Sequence, residues 1–206
     1  MTRIFLLVTV ALSASFGIGA ESPTIGSVVS HGDLAIDNHP AQVSGTVFDG
    51  SLVETGHGEQ STADVRLANG AKLTLYGDSR GSLYRDHLVL LSGQVQMAGS
   101  TSFRTEVSGL VIASAAAGSR GVVSVGPRGS INVFVETGAF RVTKDGGDFL
   151  TQIGPNKQIA FSHSDDGKWW SGGDVGSDFD RDHHHCYVDA DDDRDCERHH
   201  HHHPSK

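Results

Sequence analysis

From Phe48 to Met97 the chain places apolar residues at every second position in short runs: Val65-x-Leu67, Leu73-x-Leu75, Leu88-x-Leu90 and Val95-x-Met97. Between the runs stand Asp49-Gly50, Asn69-Gly70, Gly77-Asp78, Arg80-Gly81 and Ser92-Gly93. A period of two is that of a strand with one buried face, and Gly, Asn and Asp supply the backbone angles that tight turns need. The alternation continues through Phe103 to Glu106, Leu110 to Ser114, Val122 to Val125, Ile131 to Val135, Phe140 to Val142 and Ile159 to Phe161. It begins more faintly at Ile25, where Val28, His31, Leu34 and Ile36 read as two short strands. Turn signals at about every tenth residue predict an all-β domain of many short strands, either a β-sandwich or a short β-solenoid. After Glu21 no stretch keeps an apolar period of 3.6, and residues 111–118 read as strand and loop.

Local chemistry sharpens some joints. Asn69-Gly70 between two alternating runs predicts a hairpin with a type I′ turn, whose two central residues must tolerate positive φ. Pro127-Arg128-Gly129 should reverse the chain between Val125 and Ile131, with proline fixing φ at the first corner. His39-Pro40 and the polar run from Gln42 to Thr46 read as a connection, because a residue before proline leaves the helical region. Leu88-x-Leu90-x-x-Gly93-x-Val95-x-Met97 superimposes on Val133-x-Val135-x-x-Gly138-x-Phe140-x-Val142, with a glycine where each chain must turn without losing its side-chain register.

Composition places the protein among ordinary globular domains: 206 residues, 37% apolar, 20% charged, with 26 Gly and 5 Pro. The net charge of -9 is uneven. From Asp174 onward, nine Asp and Glu197 face Arg181, Arg194, Arg198 and Lys206, a net -6 that leaves -3 for everything before. A body without a Lys/Arg cluster lacks the phosphate-neutralising footprint of nucleic-acid binders, so no nucleic-acid partner is expected.

The N-terminus reads as an export signal: Arg3, an apolar stretch from Ile4 to Leu12, then Ile18-Gly19-Ala20 before Glu21. Thr9, Ser13 and Ser15 interrupt it, so no stable membrane span is expected after cleavage, and no Cys stands at the cleavage point to carry a lipid anchor. The expected organisation is a signal peptide over 1–20, a β-domain over 21–170 and a disordered Asp/His-rich tail over 171–206, in a periplasmic or secreted protein.

The tail carries the most pointed chemistry. His183-His184-His185-Cys186 and Cys196-x-x-His199, continuing through His200, His201, His202 and His203, bracket Asp189, Asp191, Asp192, Asp193 and Asp195. Imidazoles with carboxylates suit Zn²⁺, Ni²⁺ or Cu²⁺, and the candidate ligands are His183, His184, His185, Asp191, Asp193 and His199 to His203. The spacing matches no closed zinc site, and as a calcium loop the run has Arg194 at its sixth position and His200 at its twelfth. In an oxidising compartment Cys186 and Cys196 are expected to pair, leaving His and Asp as ligands. Two plainer readings stand beside this one: a purification-type His run, or a solvated extension whose metal affinity has no use. No cofactor is required by anything else in the chain.

Catalytic arrangements are unpersuasive, and no enzyme is expected. His31, His57, His87 and His163 are scattered, Asp86-His87 is the only adjacent acid-base pair before the tail, and no G-x-S-x-G, H-E-x-x-H or P-loop occurs. Glu54, Glu106 and Glu136 sit in strand-like contexts and read as solvent-face residues. Trp169-Trp170 falls where the β-pattern ends; one indole is expected to cap the domain, the alternative being a stacking surface for sugar rings or a partner.

Several of these residues together resemble the FecR domain. The resemblance rests on Asp49-Gly50-Ser51-Leu52-Val53-Glu54-Thr55-Gly56, Ala63 to Leu67, Asn69-Gly70-Ala71-Lys72-Leu73, Ser79 and the Leu88 to Val95 strand pair, and extends from about Thr24 to Ser162. It implies a small exported β-domain that acts by binding. In well-known members the domain relays transporter occupancy to a cytoplasmic sigma factor; three residues before the apolar segment leave no room here for a sigma-binding part, so envelope signalling is the lesser expectation. The leading expectation is a non-catalytic binding or scaffolding module of the bacterial cell envelope with an envelope protein or glycan as partner. Metal binding or buffering through the tail is the alternative.

Overall fold

The computed structural model describes residues 23–58, 60–99, 101–163 and 169–172. They form eighteen strands: β1 (Thr24–His31), β2 (Leu34–Ile36), β3 (His39–Ala41), β4 (Ser44–Phe48), β5 (Ser51–Thr55), β6 (Thr62–Leu67), β7 (Lys72–Leu75), β8 (Arg80–Leu83), β9 (His87–Ser92), β10 (Gln94–Ala98), β11 (Arg104–Val107), β12 (Leu110–Ser114), β13 (Arg120–Val125), β14 (Ile131–Thr137), β15 (Phe140–Lys144), β16 (Phe149–Ile153), β17 (Lys157–His163) and β18 (Trp169–Gly172). A single 3₁₀ turn, Pro127–Gly129, links β13 to β14 and reverses the chain as the proline predicts. Among the described residues no helix is long and apolar enough to cross a membrane.

The strands make two nine-stranded sheets and no closed barrel. Sheet A runs β18-β17-β14-β13-β10-β7-β6-β1-β4, and sheet B runs β16-β15-β12-β11-β9-β8-β5-β2-β3. The chain lays one or two strands in one sheet, crosses to the other, and advances along the pair. The product is an open sandwich that progresses in nearly sequential order. Pairing is antiparallel except between β9 and β11, where Arg104, Thr105 and Glu106 lie beside His87, Leu88 and Val89 in parallel.

The two-residue period decides the layers. On β6 the buried residues are Ala63, Val65 and Leu67 and the exposed ones Asp64 and Arg66; on β7 Leu73 and Leu75 turn inward. One apolar cluster fills the space between the sheets, from Ile25 and Val28 at one end to Phe140, Ile153 and Phe161 at the other. Each fully buried Leu, Ile or Phe contributes about 1.5–3 kcal/mol over its exposed state.

Two local expectations are corrected. Asn69 keeps a negative φ, and the β6–β7 hairpin turns on Gly70 alone (φ 86°), with the Asn69 Oδ1 accepting the Ala71 amide at 3.0 Å. The side chain thus serves an amide that a two-residue type I′ turn would not have left free. The type I′ pair lies instead at Asp37-Asn38 (φ 52° and 62°), joining β2 to β3 where Ile36 faces His39. Hence His39-Pro40 and Ser44 onward are strands, not a connection. Proline is tolerated in β3 because β3 is the outermost strand of sheet B and needs no second ladder.

The internal repeat has a structural meaning. Gly93 (φ 82°) carries the chain from β9 in sheet B to β10 in sheet A, and Gly138 (φ 76°) carries it from β14 in sheet A to β15 in sheet B. Each glycine lies against the backbone of a buried serine. Ser79 Oγ accepts the Gln94 amide at 2.8 Å and donates to its carbonyl at 2.9 Å, while Ser119 Oγ accepts the Ala139 amide at 3.1 Å and shares its one proton between the Ala139 carbonyl at 3.0 Å and the Ala116 carbonyl at 2.7 Å. Both serines begin the tripeptide Ser-Arg-Gly, Ser79-Arg80-Gly81 and Ser119-Arg120-Gly121, and each strand pair shifts register between its Arg and Gly. The sandwich therefore uses the same bulge and crossover twice, with the sheets exchanged.

Candidate functional site

A groove of about 700 Å³ opens at the β3 end of sheet B. Its principal lining is Asp33, Leu34, Ala35, Pro40, Val43 and Glu54. The tight Asp37-Asn38 turn folds β3 back so that Pro40 faces Ala35, and Ala35 in turn faces Glu54 on β5. Small side chains along this row leave the depression. Gly56 completes it: a Cβ there would come within 2.6 Å of the Asp33 Cβ, so the crossover from β1 to β2 can lie against β5 only because position 56 has no side chain. Val43 at the mouth is 70% exposed.

The floor is apolar and the rim acidic. Glu54 is neutralised by Arg80 at 2.6 Å, whereas among the described residues no cation pairs with Asp33. Such a surface suits a partner segment offering small apolar groups beside a cation or a hydrogen-bond donor.

A second cluster lies where β8 turns into β9. Asp86 Oδ1 bonds the His87 Nδ1 at 2.8 Å, Asp86 Oδ2 accepts from Arg104 Nη1 at 2.7 Å, and Arg104 Nε donates to Glu106 at 2.9 Å. The His87 ring stacks on Tyr84 with centroids 4.4 Å apart. The His87 hydrogen bond, then the Arg104 one, hold the Asp86 carboxyl below its ordinary value, and the Asp86 bond holds Arg104 above its own. A carboxyl depressed on folding stabilises the fold above its unfolded value of about 4 and loses that contribution as pH falls through the folded value. Asp86→Asn should therefore lower the urea midpoint at pH 7 by a small amount, Asp86 being over half exposed, and the difference should vanish at the acid end of a pH series. A difference independent of pH would contradict this. The cluster ties β11 to β9 across the parallel pairing, and its groups all hold one another.

The other sequence-derived candidates separate. His57 pairs with Asp78, and His163 meets Trp169 edge-on at 5.0 Å. Glu54 and Glu106 pair closely with Arg80 and Arg104, and Glu136 lies 3.9 Å from Arg120, as solvent-face residues do. Trp169 is half-buried and packs against the apolar cluster beside Phe161 and Leu150, the capping role expected of one indole. Among the described residues no group of three His, Cys, Asp or Glu could hold a metal ion. The tail ligands His183 to His203, the Cys186 and Cys196 pair and the export segment lie outside the described residues.

The groove is the feature that strand reading overlooked. Its signal was Asp37-Asn38, two residues that tolerate positive φ, placed between Ile36 and Pro40.

No family model and no curated protein matches the chain, so the FecR resemblance rests on the turn and strand residues quoted above. Among solved structures, two crystal structures of a candidate anti-sigma factor from Parabacteroides distasonis, at 1.65 and 2.50 Å resolution, are similar to it. Identities are 16% and 17%, both TM-scores are 0.47, and each likeness covers 58% of this chain and 58% of the other. The chain thus spans little more than half the length of these neighbours, and a likeness of this degree carries no argument about function.

Proposed function

We propose that this protein is an exported, non-catalytic binding or scaffolding module of the bacterial cell envelope that receives its partner in the groove between β2, β3 and β5. The observation that supports this reading is the groove itself, an apolar floor with Asp33, which no cation among the described residues pairs, on its rim and Val43 at its mouth. A photo-reactive benzoylphenylalanine at Val43 in the full chain, expressed in a bacterial host and irradiated before release of the periplasm, should yield a discrete adduct. The same group at Leu91, exposed on the outer face of sheet B, should not. Equal adducts at both positions, or none at either, would overturn the proposal.

The donor chemistry of the tail supports a second reading, divalent metal binding. Ten His and Asp candidates fall between His183 and His203. Calorimetric titration of Ni²⁺, Zn²⁺ and Cu²⁺ into the mature chain and into one ending at Gly173 should show binding in the first and none in the second. Equal weak affinity in both would sink it.

A further inference from the structure

The outer face of sheet A carries a row of cations across adjacent strands. Register partners run from Arg66 to Lys72, from Lys72 to Ala98 and from Ala98 to Arg120, so the four lie side by side on β6, β7, β10 and β13. Arg66, Lys72 and Arg120 are all exposed. Like charges directly opposite each other on an antiparallel pair are unfavourable. Among the described residues neither Arg66 nor Lys72 has an ion-pair partner. Arg120 reaches Glu136 only at 3.9 Å, while the other oxygen of Glu136 takes the Gln96 amide at 2.7 Å. The Asp64 carboxylate, two residues before Arg66, accepts the Thr74 hydroxyl at 2.7 Å. Ala98 leaves an open step of the row between Lys72 and Arg120.

The same chain contains the complementary charge. Asp189, Asp191, Asp192, Asp193 and Asp195 put five carboxylates into seven residues, with Arg194 the one cation among them. In an extended segment Asp189, Asp191, Asp193 and Asp195 share one face at a spacing of about 6.8 Å, within about 2 Å of a row whose cations stand about 5 and 10 Å apart, an offset that long Arg and Lys side chains span. Reach is ample. Asp189 follows Gly172 by 17 residues, a contour of up to about 58 Å. From β18 to β7 is five strand spacings, about 24 Å.

We propose that the acidic segment Asp189 to Asp195 docks on the Arg66–Lys72–Arg120 row of its own sandwich, as a strap across the outer face of sheet A. This rests on charge and register alone and is independent of the groove; because Asp191 and Asp193 are also candidate metal ligands, a bound metal would compete with docking. Zero-length carbodiimide cross-linking of the mature full chain, in chelator at low salt, reads it directly, because Lys72 is the row's one amine and Lys144 on β15 of sheet B is an internal control. Mass spectrometry of the monomer should find Lys72 joined to this segment about fivefold more often than Lys144, the bias that two exposed ion contacts supply. The excess should fall toward parity at about 0.5 M salt. It should also fall in the Arg66→Glu/Arg120→Glu variant, which keeps the Lys72 amine. Parity with Lys144 at low salt, or cross-links confined to dimers, would overturn the proposal. Should the double variant fail to fold, the wild-type ratio and its salt dependence still decide.

Discussion

Gly138→Ala and Gly93→Ala are expected to destabilise the protein by about 3 kcal/mol each, whereas Gly109→Ala should cost about 1–2 kcal/mol. All three glycines hold left-handed backbone, with φ of 76°, 82° and 85°. They differ in surroundings. A Cβ on Gly138 would lie 2.8 Å from the Ser119 Cα, and one on Gly93 would lie 2.7 Å from the Asp78 carbonyl oxygen, whereas a Cβ on Gly109 meets nothing within 4 Å. Backbone atoms cannot swing aside as a flexible side chain can, so the crossover positions add a steric cost to the conformational one. The Ser79 and Ser119 hydroxyls, each donating and accepting across its crossover, would be strained together with it. Urea unfolding followed by circular dichroism measures the difference as a change in midpoint at constant slope. Equal losses at all three positions would show that backbone conformation alone is at stake and that the serine contact is incidental.

Phe140→Ala should be the most damaging side-chain truncation, at about 3–5 kcal/mol, and Phe134→Ala among the mildest, below about 1 kcal/mol. Both are phenylalanines on neighbouring parts of one crossover. Phe140 is fully buried and its ring covers Gly121, where a Cβ would come within 2.7 Å of it; Phe134 stands on the outer face of sheet A, 37% exposed. Removing the first leaves a cavity beside the Arg120/Gly121 bulge, and removing the second leaves solvent. Thermal or urea unfolding of the two variants tests whether the alternation on β14 and β15 has been assigned to the correct faces. A large loss at Phe134 would reverse the assignment.

The face of each residue was readable from the chain because the period of a strand is a local property. Val65, Leu67, Leu73, Leu75, Val95 and Met97 all point inward as the alternation requires. Gly93 and Gly138 were readable as corners for the same reason. The neighbouring Ser-Arg-Gly pair was equally visible as a string, but a serine followed by arginine has no meaning until it is seen to sit under a crossover glycine. Residues 39–46 read as a connection because proline and a polar run usually mark a loop. At an outermost strand those residues cost no ladder bond, and which strand is outermost is a matter of pairing. Asn69-Gly70 marks the hairpin but not its turn type, since the Asn69 side chain competes with the backbone for the Ala71 amide.

By itself the sequence determined an all-β domain, the inward and outward faces of its strands, most of its turns and the acidic, His-rich character of its last thirty-odd residues. These follow from neighbours in the chain, where period and turn chemistry act. Only the tertiary structure decided that the strands fall into two open sheets, that the repeat exchanges them, that residues 32–35, 40–43 and 54–56 enclose a groove, and that Arg66, Lys72 and Arg120 share a row. A strand of alternating residues satisfies either sheet equally well. Which one it joins, and what stands beside it, is settled by long-range pairing and register, a choice that no short window of sequence contains.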